Sequence, residues 1–132
     1  MVRQEFNVAG YWDVIVYYDI DYRLFSLIAQ ELRDAGISEE ELDRLYTMMK
    51  SGQAKAVTFS NQLEHISIVA FNKHNSREDY ISSIVHEAEH VKQAMLRAYQ
   101  VEDADEPPAY TIGYLVAQMY RVFKEIICDT CG

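Results

Sequence analysis

The run YWDVIVYYDI, residues 11–20, limits the fold more than any other stretch of the chain. Aromatic and β-branched residues stand at almost every position, the composition of a buried β-strand. Two more β-rich runs follow, KAVTFS at 55–60 and HISIVAFN at 65–72, separated by NQLE, which has the character of a hairpin turn. A sheet of about three strands is therefore expected.

The segments around these runs have helical periodicity. DYRLFSLIAQELRDAG, 21–36, places Leu24, Leu27, Ile28 and Leu32 at helical spacing and stops at Gly36, a C-terminal cap. SEEELDRLYTMMKSG, 38–52, opens with Ser38 and Glu41 in capping-box spacing. It carries Leu42, Leu45, Met48 and Met49 on one stripe and ends at Gly52. NSREDYISSIVHEAEHVKQAMLRAYQ, 75–100, takes Ser76 as its N-cap, with the Asp79 carboxylate placed to reach back. Its apolar stripe is Ile81, Ile84, Val85, Ala88, Val91, Met95 and Ala98. After the acidic turn VEDADE, Pro107 and Pro108 fix the start of a last helix through AYTIGYLVAQMYRVFKEIIC. The expected class is α+β: N-terminal helices packed on the sheet, then a long helix and a C-terminal helix.

At 132 residues the chain suits one domain, 1–132, and no repeat or linker divides it. A net charge of −9 argues against nucleic acid or an anionic membrane as partner, since both require concentrated Lys and Arg. Glu5, Asp13 and Asp19 interrupt the first twenty residues, which lack the basic start and unbroken apolar core of a signal peptide. No segment has transmembrane length. A cytoplasmic protein is the expectation, and two cysteines do not suggest a disulfide framework.

The chemistry concentrates in SSIVHEAEHVKQ, residues 82–93. His86 and His90 stand four apart, so on a helix both imidazoles face one way and can bind one zinc ion. Glu87 then lies beside that ion, placed to take a proton from a metal-bound water, which is the physical content of H-E-x-x-H. The plainer reading is a solvated His and Glu face with no metal. A catalytic zinc needs a third protein ligand and an open position. Glu102, Asp103, Asp105 and Glu106 are the carboxylates across the turn. Glu106 leads because it stands directly before Pro107, at the start of a rigid element, although it also suits an N-terminal capping role.

HEAEH, with Glu106 sixteen residues after His90 in DEPPAYTIGYLVAQM, resembles the gluzincin branch of the zincin-like metallopeptidases. It looks closest to the small, minimal zincin-like proteins encoded by phages and prophages. The resemblance covers about residues 57–120 and implies a small zincin-like domain acting on peptides or proteins. It implies His86, His90 and Glu106 as zinc ligands and Glu87 as general base. Larger gluzincins space the glutamate farther from the motif and carry a second domain, so specificity does not transfer. The family also places an edge strand beside the active helix, for which HISIVAFN is the candidate by β-augmentation, a plain central strand being the equal alternative. Tyr110, one turn past Glu106, is a candidate oxyanion donor, although a core or supporting role suits it better. Gly113 and Tyr114 fit close helix packing, and His65 and His74 fit turn or surface positions.

Cys128 and Cys131, a single C-x-x-C at the end of a helix, read as ordinary thiols before a disulfide or a shared metal site. The rival to the enzyme is a non-catalytic phage accessory or assembly protein that keeps a structural or vestigial metal site.

Overall fold

The computed structural model describes residues 1–99 and 106–131, and at positions 106–110 and 127–131 it describes the backbone alone. Four strands form one mixed sheet: β1 (Val2–Val8), β2 (Trp12–Ile20), β3 (Ala56–Asn61) and β4 (Ile66–Asn72). Their order is β1-β2-β4-β3. β1 pairs antiparallel with β2, β2 parallel with β4, and β3 antiparallel with β4. A 3₁₀ turn (Tyr22–Leu24), α1 (Phe25–Asp34) and α2 (Glu39–Lys50) precede β3, and α3 (Arg77–Tyr99) and α4 (Glu106–Cys131) follow β4.

The uniform apolarity of β2 has a direct cause, because the sheet is covered on both faces. Ile15 and Tyr17, with Ile68 and Ala70 of β4, pack under Phe25, Ile28, Leu32, Leu42, Leu45 and Met49 of α1 and α2. Val14, Val16 and Tyr18, with Val69 and Phe71, pack under Tyr80, Ile84, Ala88 and Val91 of α3 and Leu115, Met119 and Phe123 of α4. Among the described residues no helix is long and apolar enough to cross a membrane.

The expected sheet gains one strand. β1, VRQEFNV, mixes charged and apolar residues because it is an edge strand, mostly exposed along its length. The caps agree with expectation: the Ser38 hydroxyl accepts from the Glu41 amide at 3.1 Å, and Ser76 from the Asp79 amide at 3.1 Å. The carboxylates of both boxes turn instead to cations, Glu41 to Arg44 and Asp79 to Lys55. Gly36 sits at φ +100° in a Schellman end to α1, with Ile37 N–H donating to the Leu32 carbonyl and Gly36 N–H to that of Arg33.

Two helical stripes differ from expectation. Leu24 and Leu27 are exposed, because the chain enters α1 through the 3₁₀ turn and the buried face becomes Phe25, Ile28, Ala29 and Leu32. Ile81 and Val85 of α3 are also exposed, and Tyr80, Glu87, Lys92 and Ala94 are buried in their place. Among the described residues nothing packs closely on Gly113, since a Cβ built there meets none of their atoms within 4 Å.

Candidate metal centre

HEAEH lies inside α3, as the periodicity predicts. The Nε2 atoms of His86 and His90 stand 3.2 Å apart, with the rings edge to face. Two imidazole nitrogens bound to one tetrahedral zinc at about 2.0–2.1 Å would stand about 3.3 Å apart, so the separation of the pair matches that of two ligands to one ion. His86, Glu87 and His90 offer one ligand atom each within 4.8 Å of one another.

Glu87 differs sharply from its neighbours in burial. Only 4% of it is exposed, whereas the side chain of His86 is 69% exposed. A buried carboxylate needs a hydrogen-bond partner, and the Thr58 hydroxyl donates to Oε1 at 2.9 Å. The second oxygen, Oε2, lies 3.8 Å from His86 Nε2. One carboxylate oxygen is thus anchored to the sheet while the other faces the histidines. Thr58 was not among the residues singled out from sequence, although alternation along β3 supplies a signal: Val57 and Phe59 pack toward α1 and α2, which turns Thr58 to the other face.

The three residues open on a cleft of about 500 Å³. Arg44, Leu45 and Met48 of α2 form one wall, Lys55, Val57 and Thr58 another, and Ser82 and Ser83 extend the α3 side. The strand along this cleft is β3, at the edge of the sheet. β4, expected in that position, is central because it pairs in parallel with β2 on one side and with β3 on the other.

The remaining candidates divide by position. Glu102, Asp103 and Asp105 lie outside the described residues, as do the side chains of Glu106, Tyr110, Cys128 and Cys131. Glu106 begins α4. That helix packs Leu115, Met119 and Phe123 on the face of α3 carrying Ile84, Ala88 and Val91. At about 100° per residue, Ala88 and either histidine point about 160° apart. The packing face of α4 and the histidine face of α3 are therefore opposite sides of one helix.

The other two histidines occupy structural positions of different kinds. His65, at φ +54° in the β3–β4 turn, stacks on Trp12 and meets the Tyr99 hydroxyl at 3.1 Å. His74, between β4 and α3, stacks on Tyr80 with ring centroids 4.3 Å apart. Its Nδ1 lies 2.7 Å from the Asn72 carbonyl and its Nε2 2.8 Å from Ser83 Oγ. Burial, chiefly, and the nearby Lys55 charge hold this imidazole below its ordinary range, opposed by the Asn72 carbonyl and the charges of Asp79 and Asp19.

Comparison of the chain with models of protein families, with curated proteins and with solved structures returned no match.

Proposed function

We propose that the chain is a small zincin-like metallopeptidase in which His86 and His90 hold zinc and Glu87 is the general base. The observation that carries the reading is the 3.2 Å separation of two imidazole nitrogens beside a buried, anchored carboxylate on the wall of an open cleft. A bare charged face supplies the histidines but gives no reason to bury Glu87 between them and the sheet. The mixed sheet, with an edge strand running beside the HExxH helix, also suits the reading.

Zinc, when bound, supplies a Lewis acid and a water of lowered pKa. The chain's own residues then have separable roles. Thr58 fixes Oε1, which leaves Oε2 of Glu87 to accept a proton and return it to the departing amine nitrogen. β3 offers the unpaired backbone of an edge strand, against which an extended peptide adds as a further strand. Glu106 remains the proposed third ligand and Tyr110 the proposed oxyanion donor, and α4, which carries both, packs on the face of α3 opposite the histidines.

The test is cleavage of a peptide library by zinc-loaded protein. Glu87→Gln keeps the acceptor for Thr58 and is expected to retain zinc while losing at least about a hundredfold in rate. Chelation abolishes cleavage in the wild type. Glu106→Ala loses zinc affinity if that carboxylate completes the site; full retention transfers the role to another group. Zinc retention without cleavage in the wild type contradicts the enzyme and leaves the non-catalytic phage accessory or assembly protein with a structural metal.

A further inference from the structure

His74 and Ser83 form a pair that the metal reading leaves unused. The Asn72 carbonyl can only accept a hydrogen bond, and it stands 2.7 Å from His74 Nδ1, so Nδ1 carries the proton. The neutral ring therefore presents a lone pair at Nε2. Ser83 Oγ, 2.8 Å away, must donate to it. Stacking on buried Tyr80, itself wedged between Phe71 and Phe123, keeps the ring from turning. Ser83 is half-buried and lines the same cleft as the histidine pair, so its oxygen lone pairs are within reach of a bound molecule. A serine hydroxyl held by an imidazole, whose other nitrogen is oriented by an acceptor, is the arrangement of an activated nucleophile. Here a backbone carbonyl takes the place usually held by a carboxylate. Lys55, ion-paired with Asp79 at 2.9 Å, lines the same cleft.

We infer that Ser83 and His74 constitute a second reactive centre on the cleft, a serine nucleophile with a histidine base that takes acyl esters. Ser83 Oγ attacks the ester carbonyl carbon while its proton passes to His74 Nε2. The bond from that carbon to the alcohol oxygen breaks, and Nε2–H returns the proton to the leaving oxygen, releasing the alcohol. Water then attacks the acyl-serine, giving its proton to Nε2. The bond to Oγ breaks, Ser83 recovers a proton, and the carboxylic acid leaves. Met48, half-buried on the cleft wall, offers apolar surface to a short aliphatic acyl group. None of these steps uses the zinc proposed above, so the two centres are separable by experiment.

The test treats the full chain with a fluorophosphonate in the presence of EDTA and locates the adduct by peptide mass spectrometry. The label is expected on Ser83 and absent from its neighbour Ser82, with His74→Gln slowing it on the order of a hundredfold. Hydrolysis of p-nitrophenyl butyrate is lost in Ser83→Ala, a substitution a helix accepts without unfolding, and is retained by the wild type in EDTA. Failure of Ser83 to label, equal labelling of Ser82 and Ser83, or loss of labelling on chelation overturns the proposal. Should His74→Gln fail to fold, the Ser83→Ala comparison decides alone: an unchanged rate of butyrate hydrolysis contradicts it.

Discussion

Thr58 holds one oxygen of a carboxylate that has almost no access to water. Removing the hydroxyl while keeping the shape, as in Thr58→Val, leaves that oxygen buried without a donor. Such a change is expected to cost about 1–3 kcal/mol of folding stability, measured by urea unfolding. A cost near zero would mean that Glu87 takes its partner elsewhere and that the anchoring described above is not real. At this scale the sequence was informative wherever one helix alone determines the answer. His86, Glu87 and His90 need nothing but the helical period to be brought together, and Ser38 and Ser76 cap their helices on local grounds. The Thr58–Glu87 contact joins a strand to a helix 29 residues later, so it depends on which face of the sheet α3 covers. The His74–Ser83 pair needs the Asn72 carbonyl to orient the ring, a constraint that residue identities do not express.

At the scale of elements, the central strands were legible because burial on both faces leaves a continuous apolar run, and the outermost strand was not. β1 carries Arg3, Gln4, Glu5 and Asn7 in seven residues, since an edge strand meets water along much of its length. The exchange of β4 for β3 as the strand beside the cleft has a similar origin. HISIVAFN and AVTFSN are both β-rich, and only the parallel pairing of β4 with β2, a contact across about fifty residues, makes β4 central. The helix ends offer a comparison of two glycines. Gly36, at φ +100°, has Asn61 Nδ2 only 2.7 Å from where a Cβ would stand, and that amide donates to the Ala35 carbonyl; Gly52, at φ +75°, has open space around it. Gly52→Ala is expected to cost the left-handed backbone penalty of about 1–2 kcal/mol. Gly36→Ala should cost more, because it also displaces Asn61 from its hydrogen bond. Thermal melts that rank the two variants in the opposite order would contradict this account of the α1–α2 junction.

Across the whole molecule, one sheet separates two hydrophobic cores, and the proposed chemistry lies at its β3 edge, where α2, β3 and α3 meet around the cleft. The chain carries nine more negative than positive charges, yet among the described residues lining that cleft Glu87 is the one carboxylate, beside Arg44, Lys55 and two histidines. The direct test of the central claim is a zinc titration of metal-free protein by calorimetry, run on the wild type, Glu87→Gln and His86→Ala. One zinc per chain is expected in the first two and none in the third. Zinc binding by His86→Ala equal to the wild type, or no binding by the wild type, would contradict it.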